Sequence, residues 1–430
     1  MTREDRHALP GADSHPGEFP SPPDGVDSRD GFARAADDLR RCIGEGGGTP
    51  WGASGNRPGA LMRRAYLRVL RPYLRRRAEV DTAVLRTLDI AGATMREHER
   101  RVLLATDRAH NAAEAAADAL EYARRIDGRM AVSVIDAATT RHGVLDATVC
   151  TIASRATIGH AHALARSVAR VHPGTTVIAL ITDHMPDPAG MAFTAVSMED
   201  VLNGAAAEWR AGHEGVALEY ALTPSLILYL LREGHRRLVF IKQESMVVGS
   251  LEPILDGLGT AGIGLTPHLL TPPVGPDASE RLRDVMLAGT FNGGVIAVND
   301  TSDARRALRW WESRLQPECE WDVIRGRHYE QRWLDLIPMM FDDVAILRGA
   351  GLNAGHWNIA DRGINGTPGH LRAGDDDVAV LRFSGFRAEE PDVLTRYVPG
   401  RLARGLPPPL DLYLRAFREE LLAGTGPMAE

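Results

Sequence analysis

This chain is poor in cysteine, carries a single lysine and has no long apolar run. Its three cysteines, Cys42, Cys150 and Cys319, are odd in number and lie far apart without a CxxC pair, which argues against a disulfide framework and a cysteine zinc site. No run of about 18 apolar residues is present, so no transmembrane helix is predicted. The polar stretch 1–10 lacks the apolar centre of a signal peptide. We therefore expect a cytoplasmic protein.

Lysine is much rarer than arginine. Lysines and arginines total 50, and Lys242 is the only lysine, which leaves 49 arginines (50 minus 1). Heavy use of alanine, glycine and arginine is typical of a GC-rich genome, which explains the arginines but not the exception. The formal net charge of -7 disfavours nucleic acid and an anionic membrane as default partners. With 44% hydrophobic and 25% charged residues, the composition is that of an ordinary globular protein.

Changes in composition predict four segments. Residues 1–60 are rich in glycine, proline, aspartate and serine and are predicted to be a mostly disordered tail, with a short helix at 31–42. Residues 61–127 have helical apolar spacing, which predicts a bundle or coiled coil that could support a homo-oligomer; the alternative is a platform for an acceptor or partner. Residues 128–395 are the α/β domain, and 396–430 form a C-terminal helical extension.

Strands and helices alternate from Met130 onward, which predicts a mostly parallel sheet flanked by helices. The first strand is predicted at 148–153 and the second at 176–182, with an amphipathic helix at 160–172 between them. The remaining predicted elements are strands at 238–241, 262–265, 294–298, 344–347 and 378–383, and a helix at 409–422.

The most informative segment is 223–253, where a helix, a glycine stop and a short buried strand lead into a polar loop. This order places Lys242, Gln243 and Glu244 at the carboxyl end of a central strand, where ligands bind in open α/β sheets. Neither GxGxxG after the first strand nor GxxxxGK[ST] is present, which disfavours the common dinucleotide and P-loop interpretations.

The segment resembles the core of nucleotide-diphosphate-sugar glycosyltransferases with the GT-A fold, of the glycogenin and bacterial galactosyltransferase type. In that family the corresponding strand ends in Asp-x-Asp, whose carboxylates hold a divalent metal on the donor diphosphate. The other similar segments, in chain order, are TIASRATIGHAHALARSV from Thr151, LITD ending at Asp183, GTFNGGVIAV around Asn292, YEQRWLD around Gln331, LNAGHWN from Leu352 and RFSGF from Arg382. The resemblance implies a Rossmann-like α/β sandwich over about 148–390.

Two departures from the family pattern concern the metal site. The Asp-x-Asp position reads Lys242-Gln243-Glu244, and the histidine of the closing motif is replaced by Arg382. Both changes remove a metal ligand and add a positive charge. Because a departing nucleoside diphosphate accumulates negative charge, protein cations can take the place of the metal ion. We therefore expect no metal cofactor, with Mg²⁺ or Mn²⁺ held through Glu244 as the alternative.

The resemblance assigns a hypothetical role to each candidate site residue. The catalytic set is Lys242, Glu244, Gln331, Asp335 and Arg382; the donor nucleotide and diphosphate set is Thr151, Ser154, Arg155, Asp183, Gln243, Ser384 and Gly385; the donor-sugar set is Asn292, Gly293, Glu330, His268, Trp357 and Asn358. Some of these residues have structural alternatives: Asp183 as a turn or cap residue, His268 and Trp357 as core residues, and Asp335 as a support rather than an acid or base.

The expected partners are a nucleotide-diphosphate-sugar donor of the UDP, GDP or dTDP type and an acceptor that the sequence does not identify. The family mostly retains anomeric configuration, and that outcome is carried by the resemblance alone. Two alternatives stay open at this point: a regulatory protein that binds a sugar nucleotide without turnover, and a structural protein that assembles through 61–126.

Overall fold

The computed structural model describes residues 57–397, 406 and 408–424, with side chains from 75 onward. The predicted tail up to residue 56, its short helix at 31–42 and part of the predicted C-terminal extension lie outside these residues. The chain divides into two units, Met1–Ala117 and Asp118–Glu430. The four predicted segment boundaries remain predictions.

Fifteen strands and twelve α-helices are present in the described part of the chain. The strands are β1 (Thr148–Ala153), β2 (Val177–Ile181), β3 (Thr194–Ser197), β4 (Arg237–Ile241), β5 (Ser245–Val247), β6 (Ile263–Pro267), β7 (Phe291–Asn299), β8 (Trp321–Asp322), β9 (Arg327–His328), β10 (Val344–Ile346), β11 (Ala354–Gly355), β12 (Ile364–Thr367), β13 (His370–Ala373), β14 (Asp376–Asp377) and β15 (Val380–Arg382). The helices are α1 (Arg57–Ala138), α2 (Ile158–Val171), α3 (Met198–Leu202), α4 (Ala206–Gly212), α5 (Gly215–Ala221), α6 (Thr223–Arg232), α7 (Glu252–Leu258), α8 (Ala278–Ala288), α9 (Ser302–Leu315), α10 (Ile337–Met340), α11 (Ile359–Arg362) and α12 (Pro408–Gly424). Short 3-10 turns occupy Arg155–Thr157, Val323–Arg325 and Gln331–Leu336.

Helix α1 contains the whole stretch that was predicted to be helical. Its described side chains up to 117 are mostly exposed, and large apolar ones such as Val84, Met95 and Val102 are about half exposed or more. Charged neighbours one turn apart support the helix; for example, Arg101 donates to Glu97 over 3.0 Å. Among the residues that the structure describes, no helix is both long enough and apolar enough to span a membrane.

A seven-stranded sheet with the order β10-β6-β7-β4-β1-β2-β3 forms the centre of the second unit. Strand β7 runs antiparallel to β4 and β6, while the other neighbouring strands are parallel. Both faces are covered: Leu226 of α6 and Trp311 of α9 are buried on one face, and Leu164 of α2 and Ile254 of α7 on the other. The predicted α/β class, a mostly parallel sheet flanked by helices, is therefore confirmed.

The α6–β4 unit positions the candidate site. Pro224 lies in the first turn of α6, where its missing N–H costs nothing. Gly234 follows the helix in the left-handed region, with φ 94°, which lets the chain reverse into β4. Strand β4 is buried after its first residue, as expected for a central strand covered on both faces. Lys242, the next residue, donates its backbone N–H to the carbonyl of Gly294 over 2.9 Å, so the pairing with β7 continues past the strand end.

A smaller sheet, β11-β15-β5, lies after the polar loop and brings the closing motif back to β4. Strands β15 and β5 are antiparallel and pair Arg382 with Ser245. The backbone N–H of Phe383 donates to the carbonyl of Glu244 over 2.8 Å. This pairing brings two segments that lie far apart in sequence to one end of the central sheet. The ring of Phe383 stacks on Phe417 of α12 at 4.5 Å, which anchors the small sheet to the last helix.

Candidate active site

A cavity of about 480 Å³ lies beyond the carboxyl end of β4. Its size falls in the range of roughly 300–1,000 Å³ that is usual for small-molecule sites. Its inner lining includes side chains from four of the predicted motifs, which are far apart in sequence. They are Lys242, Asn292, Glu330, Gln331, Arg382 and Ser384.

Lys242 is buried in this cavity and is held by two neighbours. Only 7% of the residue is exposed, and its Nζ donates a short hydrogen bond to Oε1 of Glu330. The same nitrogen lies 3.5 Å from the centroid of the Tyr220 ring, which is a close cation–π contact. The positive charge is thus compensated by one carboxylate and one aromatic face.

Glu330 is almost fully buried at 1% exposure, and its backbone is fixed by Trp311, whose indole N–H donates to the Glu330 carbonyl over 3.1 Å. A Cβ on Gly293 would lie 2.6 Å from Oε1 of Glu330, so only glycine leaves room for the carboxylate here. Oε2 of Glu330 has no hydrogen-bond partner in the described part of the chain. One oxygen therefore holds Lys242, and the other is buried without a donor from the described residues.

Arg382 enters the cavity from β15 and is only partly satisfied. It is 4% exposed, and its Nη2 lies 3.7 Å from Oε2 of Glu244. Its Nε and Nη1 have no hydrogen-bond partner among the described residues. Burial lowers the pKa of this guanidinium, while the nearby Glu244 carboxylate opposes that shift. A Cβ on Gly294 would collide with the guanidinium, which explains the second glycine of the Phe-Asn-Gly-Gly turn.

Glu244 is held beside Arg382 by the residues that follow it in the closing motif. The hydroxyl of Ser384 donates to Oε2 over 3.2 Å, and the backbone N–H of Gly385 points to Oε1 at 3.5 Å. The predicted residues Glu244, Arg382, Ser384 and Gly385 therefore form one cluster. Gly385 has a φ of 80°, a conformation that favours glycine at this turn.

The predicted donor-sugar residues form a buried hydrogen-bond network. The amide of Asn292 lies 3.1 Å from Nε2 of His268, and its Oδ1 accepts from Asn353 over 3.1 Å. Oε1 of Gln331 accepts from the backbone N–H of Gly293 over 3.0 Å. Burial lowers the pKa of His268 to about 3, so its ring is neutral at pH 7 and Nε2 can accept from Asn292.

Two further donor-sugar candidates lie on the loop around β11. The Trp357 ring lines the cavity at 5.7 Å from the His268 ring. Asn358 is buried, and its Nδ2 donates to the carbonyls of His268 over 3.2 Å and Asn353 over 3.1 Å. Asn358 thus fixes the loop that carries Trp357 rather than facing the cavity.

Asp335 is taken up by the turn that precedes β7. Its Oδ1 accepts from the backbone N–H of Thr290 over 2.8 Å and from its hydroxyl over 2.7 Å. Its Oδ2 pairs with Arg332. It does not line the cavity, and its contacts are those of a support.

The predicted nucleoside residues lie at the ends of β1 and β2, outside the cavity lining. The backbone N–H of Arg155 donates to both carboxylate oxygens of Asp183 at 2.9 Å, which joins the two strand ends. Ser154 caps the following 3-10 turn, and its backbone N–H donates to the Thr157 hydroxyl over 2.9 Å. Thr151 is fully buried, and its hydroxyl has no partner within the described residues.

Gln243 points to these strand ends and away from Lys242. Its Nε2 donates to Oε2 of Glu219 over 2.8 Å, and Thr157 donates to the other oxygen of Glu219 over 3.0 Å. Burial raises the pKa of the Glu219 carboxyl, against the hydrogen bonds that it accepts. Glu219 therefore connects the end of β1 with the loop after β4.

Sequence reasoning missed Glu219, Tyr220 and Tyr329. Tyr220 lies under Lys242, and the Tyr329 ring meets the Tyr220 ring edge to face at 5.2 Å. Tyr329 also has a positive φ of 47°, which is unusual for a residue with a side chain. Residues 219 and 220 lie just before the helix of the informative segment, but no spacing pattern distinguishes them from core residues.

Comparisons with known proteins give short sequence matches and weak structural ones. No protein-family model matches the chain. It is 28% identical over 102 residues, 24% of its length, to the uncharacterized protein YfnF of Bacillus subtilis strain 168. It is 27% identical over 100 residues, 23% of its length, to YfnD of the same organism. The matches span about a third of each relative, 34% and 32%.

Among solved structures, the chain is similar to galactosyltransferase LgtC in complex with donor and acceptor sugar analogs, at 15% identity and a TM-score of 0.39, over 64% of this chain and 95% of that one. It is similar to the bifunctional glycosyltransferase WbbM at 13% identity and a TM-score of 0.37, over 66% and 50%. It is similar to mouse xyloside xylosyltransferase 1 at 10% identity and a TM-score of 0.36, over 55% of this chain and 97% of that one. Because all three TM-scores are below 0.5, the function has to be argued from the site itself.

Proposed function

We propose that this chain is a glycosyltransferase that takes a sugar from a nucleotide-diphosphate donor without a divalent metal ion. The observation that carries the proposal is the pair of buried cations, Lys242 and Arg382, in one cavity with Asn292 and Gln331. Two cations far apart in sequence, both more than nine-tenths buried, are costly to desolvate unless a ligand or partner charge compensates them. The order of the sequence motifs supports the same conclusion.

The proposed reaction forms a bond from an acceptor oxygen to the anomeric carbon of the sugar. The bond from that carbon to the phosphate oxygen breaks, and its electron pair leaves with the nucleoside diphosphate. The acceptor hydroxyl loses its proton to the departing diphosphate or to solvent. Arg382 offers Nε and Nη1 to the growing negative charge, because neither atom has a partner within the described chain. Such preorganised donors are worth about 2.7–4 kcal/mol each in related charge-stabilising sites.

The remaining polar residues receive roles from their contacts. Asn292 and Gln331 are held by hydrogen bonds to His268 and Gly293 and offer a rigid polar surface to the transferred sugar. Glu330 orients Lys242. Thr151, Ser154, Arg155 and Asp183 remain proposed as the nucleoside side, and Gln243 would act there through Glu219.

A divalent metal ion fits this donor set poorly. Mg²⁺ or Mn²⁺ needs several oxygen ligands. Glu244 alone remains of the family's set, and it lies against the Arg382 guanidinium at 3.7 Å while accepting from Ser384. The carboxylate of Glu330 is taken by Lys242. A metal ion at Glu244 would face the buried guanidinium of Arg382, so no step of the proposed reaction passes through a metal.

The test uses the full chain with UDP-, GDP- and dTDP-sugars in buffer that contains EDTA. We expect release of the matching nucleoside diphosphate, which is measured by chromatography. The rate of release should not increase when Mn²⁺ replaces EDTA. A thermal-shift series with UDP, GDP and dTDP identifies the nucleotide, because a ligand at 100 times its dissociation constant adds about 2.7 kcal/mol of stability.

Three outcomes separate the parts of the proposal. Activity that needs Mn²⁺ would contradict the metal-free mechanism but leave the transferase in place. Nucleotide binding without any release would favour the alternative of a non-catalytic sugar-nucleotide binder. The absence of any nucleotide-dependent thermal shift would overturn the assignment to nucleotide-sugar chemistry altogether.

A further inference from the structure

The mouth of the cavity is acidic, whereas its interior holds the two buried cations Lys242 and Arg382, each beside a carboxylate. Asp277, the residue before helix α8, and Glu280 and Asp284 of α8 line the mouth; they are three and four residues apart and lie on one side of the helix. This set of three residues is called the acidic face of α8. All three are exposed, and none forms a salt bridge or side-chain hydrogen bond within the described part of the chain. Arg281 on the same face is neutralised by Asp361, with Nη1 2.8 Å from Oδ1. This face therefore presents three uncompensated negative charges.

Aromatic rings stand next to this acidic face. Helix α8 packs against β9 and the Val323–Arg325 turn. From that hairpin Trp321, His328 and Tyr329 line the same cavity, with the Trp321 and His328 rings 4.5 Å apart. Trp321 is 52% exposed, although indole rings are usually covered. Carboxylates combined with open aromatic faces are the groups that attract organic cations.

A second observation points to a ligand in the same cavity. Glu330 lines the cavity at 1% exposure, and its Oε2 lacks a hydrogen-bond partner among the described residues. A buried carboxylate oxygen left without a donor is costly unless a ligand supplies one. The donor phosphates cannot do so, because their oxygens carry no proton at pH 7. The group that completes this oxygen is therefore a donor such as a hydroxyl or an ammonium.

We propose that the acceptor is a cationic molecule, an amine joined to an apolar or aromatic body, bound between the acidic face of α8 and the ring of Trp321. This inference rests on the proposed function, in which the donor diphosphate lies at Arg382 and Lys242 in the interior and leaves the mouth to the acceptor. The ammonium is not the nucleophile, because a proton occupies its lone pair. A hydroxyl of the same molecule attacks the anomeric carbon, loses its proton to the departing diphosphate and enters the new bond.

The charge at the mouth also disfavours anionic acceptors. Three uncompensated carboxylates repel a phosphorylated acceptor, an anionic glycan or the headgroup of an acidic lipid. A neutral sugar could only donate hydrogen bonds to the acidic face, without charge attraction. An amine joined to an apolar or aromatic body gains charge attraction from the acidic face and contact with the ring of Trp321.

The experiment compares three probes that share a phenol and differ in charge: tyramine (cation), 4-ethylphenol (neutral) and 3-(4-hydroxyphenyl)propionate (anion). Each is titrated into the full chain with saturating nucleoside diphosphate, and quenching of tryptophan fluorescence is measured at low and high salt. We expect tyramine to bind about tenfold more tightly than 4-ethylphenol and the anion to bind most weakly, with the difference shrinking at high salt.

A charge-removing variant, Asp277→Asn/Glu280→Gln/Asp284→Asn, tests the acidic face. It should weaken tyramine about tenfold and leave 4-ethylphenol unchanged. The matched control, Glu208→Gln/Glu214→Gln/Asp256→Asn, removes three exposed carboxylates that do not line the cavity and should bind tyramine as the parent does. Thermal unfolding checks that both variants remain folded.

The proposal is overturned if the parent protein binds the three probes equally or fails to bind tyramine, or if the variant and the control weaken tyramine to the same extent. Donor hydrolysis and the nucleotide-dependent thermal shift are measured in parallel. If these persist while the charge order fails, only the acceptor class is wrong. If they are absent while the charge order holds, the cation site stands and the transferase assignment falls.

Discussion

The ends of β4 and β15 each deliver one cation to the same cavity, and the two differ in how they are compensated. Lys242, after β4, has a carboxylate partner and an aromatic ring against its nitrogen. Arg382, at the end of β15, faces Glu244 at 3.7 Å and keeps two nitrogens unsatisfied among the described residues. The lysine charge is thus compensated within the folded protein, whereas the arginine is the cation that we propose for the anionic ligand.

The largest effect we predict concerns the compensated side of this comparison. Replacing Lys242 with Met leaves Glu330 charged and buried, and Glu330→Gln leaves Lys242 without its counter-charge. Each single change should lower the free energy of unfolding by about 3–5 kcal/mol. The double variant removes both charges and should recover most of that loss, because replacing a whole buried pair is often nearly neutral. Urea unfolding at pH 7 measures all three.

The double-mutant cycle is the control for this prediction, since it isolates the coupling between the two side chains. Single variants that each lose less than about 1 kcal/mol would contradict a built-in ion pair, because that is the usual value of an exposed one. Lys242 would then resemble Arg382, a cation whose charge the folded protein leaves for a ligand to compensate.

The next prediction concerns the uncompensated side. Arg382→Lys retains the positive charge but loses the planar fork whose Nε and Nη1 are free. We expect the rate constant for nucleotide release divided by KM to fall about 10²–10³-fold, with little loss of fold stability. The matched control is Arg348→Lys, which changes an exposed arginine outside the cavity lining. If Arg382→Lys retains activity within about threefold of the parent, a positive charge at this position suffices and the planar guanidinium is not required.

The smallest predicted effect tests the buried network beneath both cations. The folded pKa of His268 is about 3, below the ordinary value of 6.5. Protons thus bind preferentially to the unfolded chain. The resulting contribution to stability is complete above pH 6.5 and is lost as the pH falls toward 3. Between pH 7 and 5 this single group lowers the free energy of unfolding by about 2 kcal/mol.

His268→Gln removes the titrating ring but keeps a side chain that can hydrogen-bond to Asn292. Urea unfolding of the variant should depend less on pH between 7 and 5 than that of the parent, by about the same 2 kcal/mol. An equal pH dependence in the two proteins would assign the acid sensitivity to other histidines.

Sequence reasoning predicted the sheet well, because buried strands and glycine-bounded helices leave local patterns. The predicted strand at 238–241 lies within β4, Arg237–Ile241, and the predicted strand at 294–298 lies within β7, Phe291–Asn299. The same order of motifs predicted that Lys242, Asn292 and Arg382 meet, and all three line one cavity. Their roles in a reaction remain predictions.

Pairings between distant elements were not predictable in this way. Lys242 and Glu330 are 88 residues apart, and nothing in either segment names the other as a partner. Gln243 was predicted to bind the donor nucleotide, but its hydrogen bond to Glu219 of α5 was not predicted. Such contacts depend on how helices dock on the sheet, and one sequence carries no record of that packing beyond the apolar spacing of each element.

The solitary lysine has a practical consequence for anyone who wants to watch this cavity. Reductive methylation with ¹³C-formaldehyde modifies amines and leaves guanidinium groups untouched, so the side chains of this protein offer the reagent a single target. A dimethylated Lys242 would give the one side-chain methyl resonance, separate from that of the α-amine and shifted by the ring current of Tyr220, whose ring centroid lies 3.5 Å from the nitrogen. The arginine-rich composition therefore leaves one side-chain signal that reports on whatever enters the site.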